Sequence, residues 1–128
     1  MPIEHRFNAD STVRHIRMYG HVTEDEIRAY REALQQDQRA TQVVSYVDMS
    51  ELEKFVGFNA TLQHSNTVAK LADKRERPFK EIIYAPSDLA YGSARMYQSL
   101  MAERVLVEVF KDQDAAEMAI NQFVRNSH

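Results

Sequence analysis

The 128-residue sequence contains no cysteine and no tryptophan. Without cysteine there is no disulfide frame, no thiolate nucleophile and no zinc site of the Cys-rich kind. Glycine and proline are scarce, with three of each, which excludes collagenous and low-complexity chains. No apolar run approaches the length needed to span a bilayer, and the opening Met-Pro-Ile-Glu-His-Arg lacks the apolar stretch of a secretory signal, so the expected location is the cytoplasm. Neither sign of charge dominates: 16 basic and 19 acidic residues leave a net charge of -3, too little to gather nucleic acid or to hold the chain on an anionic membrane. Also missing are a G-x-G-x-x-G turn, a Walker lysine loop, a G-x-S-x-G elbow and His-x-His or His-Glu-x-x-His spacings, so no cofactor and no metal are expected. What is present is a globular composition, 44% hydrophobic and 27% charged, on a chain whose length fits one domain over 1–128.

Short β-rich runs alternate with amphipathic helical patterns. Ile3, His5 and Phe7 alternate with Glu4, Arg6 and Asn8 as a strand with one wet face. Asn8 to Ser11 turns the chain into a second strand, Thr12 to Tyr19, closed by Gly20 and forming a hairpin with the first. Thr23 with Glu26 three residues on is a capping box, and Ile27, Tyr30 and Leu34 form the buried stripe of the helix it starts. Val43, Val44, Tyr46 and Val47 read as a central strand ending at Asp48, followed by a link from Glu51 to Gly57. Phe58, Leu62, Ser65, Ala69 and Ala72 share one face of a second helix, which the run Asp73 to Arg77 and Pro78 end. Ile82 to Ala85 make the next strand, and Ser87 caps a third helix with Leu89, Met96 and Leu100 inward. Val105, Val107 and Val109 mark the last strand. Ala116, Ala119, Ile120, Phe123 and Val124 mark the last helix. The order β-β-α-β-α-β-α-β-α predicts an α/β fold with a mostly parallel five-stranded sheet and an antiparallel N-terminal edge strand. Ligands of such sheets gather at the carboxyl ends of the strands, here Gly20 and His21, Asp48 to Ser50, Pro86 to Asp88 and Lys111 to Asp114.

This order, with Asp48-Met49-Ser50 closing the central strand, resembles the SpoIIAA-like fold shared by STAS domains and related to the lipid-binding Sec14 (CRAL-TRIO) proteins. The stretch Ala90-Tyr91-Gly92-Ser93-Ala94-Arg95-Met96-Tyr97, with Val109-Phe110-Lys111-Asp112 and the Ala-rich last helix, looks most like the bacterial STAS/Sec14-like proteins of unknown function. The resemblance covers nearly the whole chain. STAS anti-sigma-factor antagonists carry a phosphorylatable serine in the turn after the D-x-S strand end. Phe55-Val56-Gly57-Phe58-Asn59-Ala60 has no hydroxyl there, so the resemblance implies the fold and a habit of binding partners or apolar ligands, without that phosphorylation site.

The residues support three functional readings. The first is a non-enzymatic module for a protein partner or a small apolar, lipid-like ligand, with homodimerisation open to it. Its surface is expected at Asp48, Ser50, Phe55, Phe58, Ser87, Tyr91 and Arg95: the aromatics supply apolar area, Ser87 and its helix N-terminus meet anionic groups, and Arg95 pairs with a carboxylate or headgroup. The bland alternative for Asp48 and Ser50 is that the carboxylate satisfies the next backbone amides. The second reading is a small enzyme with His64 and either Asp48 or Tyr91 as acid and base. The third is a partner-switching regulator controlled by phosphorylation. The basic residues Lys70, Lys74, Arg75, Arg77 and Lys80, interleaved with Asp73 and Glu76, read as a solvated helix end.

Overall fold

The computed structural model describes residues 3–7, 13–36, 44–55, 58–72, 80–101 and 106–126. The expected turn at Asn8 to Ser11, the Val56-Gly57 step and the charged run Asp73 to Arg77 lie outside them. The elements run β1 (Ile3–Phe7), β2 (Val13–Val22), α1 (Glu24–Gln36), β3 (Val44–Phe55), α2 (Phe58–Ala72), β4 (Lys80–Tyr84), α3 (Asp88–Met101), β5 (Leu106–Phe110) and α4 (Gln113–Asn126). The five strands form one sheet in sequence order. β1 is antiparallel to β2, and every later pair is parallel, as the single-helix crossovers require.

Local chemistry sets the helix starts. Thr23 Oγ1 accepts from the Glu26 amide at 3.4 Å and its hydroxyl donates to Glu26 Oε1 at 3.1 Å, beside an acidic first turn of Glu24, Asp25 and Glu26 that suits the positive helix end. Ser87 Oγ accepts from the Ala90 amide at 3.0 Å and caps α3, straight after Pro86. Ile27, Tyr30 and Leu34 are the buried stripe of α1, as their spacing predicts.

Three expectations are corrected. β3 does not end at Asp48 but continues to Phe55. Its pairing with β2 slips twice, between Arg17 and Tyr19 and between Gly20 and His21; at each slip β3 spends an extra residue, and the bulges break the period-two pattern so that Ser50-Glu51 and Glu53-Lys54 mimic a polar loop. β2 likewise passes through Gly20 to Val22; Gly20 holds a left-handed φ of 62° at the second slip, a conformation other residues adopt at a cost. The inward face of α3 is also not Leu89, Met96 and Leu100. Ala90, Ala94, Tyr97 and Met101 are buried, while Leu89 is 42% exposed. The two alanines let α3 lie close on β3 and β5, and Gln98 Nε2 donates to the Val107 carbonyl at 2.6 Å, which fixes the helix one residue out of the expected phase.

The sheet register sorts side chains into two faces. Arg14, Ser45, Glu81 and Val107 form one inward row, and Ile16, Val47, Ile83 and Val109 the next on the same side. That face carries the larger core with α1 and α3, including Ile27, Tyr30, Leu34, Ala94 and Met101; α2 rests on α1 and α3. On the other face Val13, Val44, Tyr46 and Ile82 pack with Ala116 and Ile120 of α4.

Candidate functional site

The larger core is not fully filled. Between the sheet and α1, α2 and α3 lies a cavity of about 60 Å³. Ile16, Val47 and Ile83 supply its sheet wall, and Met18, Met49 and Phe55 line it towards the carboxyl ends of the strands. Tyr30 of α1, Thr61 and His64 of α2, Ser93 and Tyr97 of α3 and Glu81 of β4 put the polar groups on its boundary. Thioethers and an aromatic ring beside a void give walls that re-pack at low cost.

The polar end is built from groups whose charged forms burial disfavours. The Tyr97 hydroxyl donates to Glu81 Oε1. Glu81 is 6% exposed, and burial pushes its carboxyl up to about 7, against the smaller downward pulls of the Tyr97 hydrogen bond and the Arg14 charge. Burial likewise raises the Tyr97 phenol well above its ordinary range, with Glu81 adding to the shift, and it raises Tyr30 in the same way. His64 lies between the rings of Tyr30 and Tyr97, at centroid distances of 5.5 and 5.9 Å. Its Nδ1 is buried and has no hydrogen-bond partner among the described residues, although the residue as a whole keeps partial exposure. Burial, then the charges of Arg31 and Arg14, lower it to about 4, so the ring is uncharged near neutrality.

Behind this end stands Arg14, with no exposed surface. Its Nη2 is 3.3 Å from His5 Nδ1, and its guanidinium carbon lies 5.4 Å from the Tyr30 ring centroid and 5.8 Å from that of Phe7. Nε and Nη1 are buried without hydrogen-bond partners among the described residues. Cation–π contact offsets part of the desolvation of a buried guanidinium, yet a charge taken out of water is expensive unless an opposite charge meets it.

The seven residues expected from the sequence to form a binding surface do not form one cluster. Phe55 lines the cavity. Tyr91 packs partly buried against the larger core, with Lys111 Nζ 4.8 Å from its ring centroid. Ser87 is occupied as the α3 cap, and Arg95 is exposed on α3. Asp48 Oδ1 accepts from the Ser50 amide at 2.8 Å, serving the backbone at the first slip of β3. Asp48 also stands in the row of Arg17 and Tyr84, on the α4 side of the sheet, so the structure does not bring it to His64. Tyr91 is not among the residues around the cavity either. Phe58 opens α2, and its side chain lies outside the described residues. Sequence reasoning names Tyr97, with Phe55 and Met49, among aromatics and methionines suited to line a pocket, and all three border the cavity; it missed Arg14, Tyr30 and Glu81. The signal was parity: Arg14 falls in step with Ile16, and Glu81 with Ile83, so each puts a charge on an inward position of a buried strand.

No family model matches the chain, and no curated protein matches it. Among solved structures it is similar to an uncharacterised protein of the DUF3478 family from Shewanella loihica PV-4, described as having a SpoIIAA-like fold. The two share 16% identity over 92% of this chain and 91% of that one, with a TM-score of 0.56. A likeness at that identity is one of fold, and the chain has a SpoIIAA-like α/β fold. Among the described residues no helix is long and apolar enough to cross a membrane.

Proposed function

We propose that this single-domain chain is a cytoplasmic, non-enzymatic binding module that takes a small, largely apolar ligand into the cavity under α2. One observation carries the reading: the larger core leaves a void of about 60 Å³ bounded by flexible Met18 and Met49 on one side and, on the other, by Glu81, Tyr97 and His64, whose buried Nδ1 has no hydrogen-bond partner among the described residues. Pockets of this make-up, apolar walls with a few convergent polar groups, are the common form of small-molecule sites. At ~10–15 Å³ for each water the void has room for about four to six waters, or for a molecule of a few heavy atoms. The test is to compare native and denaturing mass spectra of the chain as purified from cells. An added mass that denaturation releases supports the reading; a bare chain that also ignores added apolar fragments contradicts it.

A second reading, docking of a protein partner or a second copy, rests on α3. Leu89 is 42% exposed on the same first turns as Ser87, Tyr91 and Arg95, and that stretch is the surface on which it would depend. Leu89→Asp leaving association in the native spectrum unchanged would remove it.

A further inference from the structure

β1 stands at an edge of the sheet: β2 pairs with it on one side, and among the described residues no strand lies on the other. An edge strand is a template for pairing with another chain. The register against β2 sends its side chains two ways. Ile3, His5 and Phe7 stand in the inward rows of Met18, Ile16 and Arg14, while Glu4 and Arg6 stand on the outer face with Arg17 and His15. Ile3 is buried and Phe7 half-buried, whereas Glu4, His5 and Arg6 are exposed.

On the outer face the charges alternate in sign from strand to strand. Glu4, Arg17 and Asp48 form one row across β1, β2 and β3, and Arg17 lies 3.6 Å from Glu4 Oε1 on one side and 2.5 Å from Glu51 Oε2 on the other. At the edge this row stops on a negative charge. The next row, Arg6, His15 and Tyr46, stops on a positive one. A two-fold axis normal to the sheet through His5 lays a second β1 antiparallel against the first. Each Glu4 then faces the Arg6 of the other copy, each Ile3 faces a Phe7, and His5 faces its counterpart. Glu4 keeps Arg17 on one side and gains a guanidinium on the other, so the alternation continues across the axis. A slip of two residues either way sets Glu4 against Glu4 or Arg6 against Arg6, and like charges directly opposite are destabilising. A slip of one residue exchanges the faces. Charges on an edge commonly serve to prevent pairing; this arrangement disfavours the neighbouring registers and matches one.

We infer that the partner of the β1 edge is a second copy of this chain, joined by antiparallel β1–β1 pairing centred on His5, with the two five-stranded sheets continuous across the dimer. The interface is isologous, the same patch on both copies. It requires neither a ligand in the cavity nor the α3 surface. Five residues of edge run ~17 Å, less than a standard interface spans, so the dimer is weak and forms with rising concentration.

The test is analytical ultracentrifugation of the whole chain at low salt, from about 10 μM to about 1 mM. The wild type is expected to pass from monomer to dimer across that range. Arg6→Glu and Glu4→Arg each set like charges opposite one another twice, and each should weaken self-association at least ~10-fold. An equimolar mixture of the two variants restores opposite charges at both pairs and should form a heterodimer as readily as the wild type dimerises. The double variant Glu4→Arg/Arg6→Glu should dimerise as well. Both positions are exposed, and recovery in the mixture shows that each single variant is folded. A wild type that stays monomeric throughout overturns the inference. So do single variants that dimerise like the wild type; if Leu89→Asp then abolishes the dimer, the association belongs to α3. Single variants that stay monomeric when mixed, with a monomeric double variant, overturn the register and the inference with it.

Discussion

The two faces of the sheet are covered differently and hold different chemistry. On one side α4 alone lies across β3, β4 and β5, and the contact is made by Val13, Val44, Tyr46, Ile82, Ala116 and Ile120, an apolar layer whose buried polar atom is the Tyr46 phenol, raised by burial to about 12. On the other side three helices enclose Arg14, Glu81, Tyr97 and His64 together with a void. Burying ionisable groups and leaving space both cost stability. A fold that keeps these features under three helices, while α4 packs an apolar layer on the opposite face, separates a layer that stabilises the sheet from a layer that binds.

Adjacent residues of β4 point to opposite faces, and they give the largest expected effect. Ile82→Ala, at a position with no exposed surface under α4, should cost about 4 kcal/mol in urea unfolding. Ile83→Ala should cost roughly 2–3 kcal/mol, because a side chain that already borders a void has fewer contacts to lose. Equal losses would break the comparison.

The next effect is in pH. Glu81 is raised from 4.5 to about 7 in the folded chain, so its protonated form adds stability below about 4.5, and this is lost as pH rises through 7. His64 is lowered from 6.5 to about 4, so its neutral form adds stability above 6.5, and this is lost as pH falls through 4. The slopes oppose each other between 4.5 and 6.5, and the wild-type profile should be nearly level there. Glu81→Gln removes one of the two, and its stability should climb across that window by roughly 2 kcal/mol, a figure that discounts for the partial exposure of His64. A variant profile parallel to the wild type would show that Glu81 titrates in the ordinary range.

Two conservative enlargements in β3 sharpen the comparison further. Val47→Ile adds a methylene at the cavity and should be neutral or stabilising by up to about 1 kcal/mol while weakening ligand uptake. Val44→Ile adds the same group to the filled layer under α4 and should cost about 1–3 kcal/mol. Thermal melts of the pair decide it; the reverse order would place the void on the wrong face. The smallest change expected is that of Asp88→Asn, which breaks an exposed pair with Lys111 at 3.1 Å. It touches neither face and should stay within about 0.5 kcal/mol.

Where alternation or helical spacing survives undisturbed, the architecture is readable from the residues alone. Val44 to Val47, the Ile27-Tyr30-Leu34 stripe and the Thr23 cap are of this kind, and so is the element order with its antiparallel edge strand. The second half of β3 is not readable, because two slips against β2 put polar pairs where alternation should run. The phase of α3 was missed for another reason: Leu89, Met96 and Leu100 are the more hydrophobic side chains, but packing distance selects the smaller Ala90 and Ala94, and the Tyr97 hydroxyl needs Glu81. The polar end of the cavity draws residues from β2, β4, α1, α2 and α3. Only the sheet register brings them together, and each alone reads as an ordinary surface or core residue. Parity within β2 and β4 was the one local sign.

Xenon-pressurised NMR of the isoleucine methyl groups tests the division between the faces most directly, since an apolar void of this kind takes up the gas and a filled layer does not. The account predicts saturable shifts at Ile16, Ile27 and Ile83, which border the cavity, with Ile82 and Ile120 unmoved. Shifts at both sets, or at neither, would contradict it.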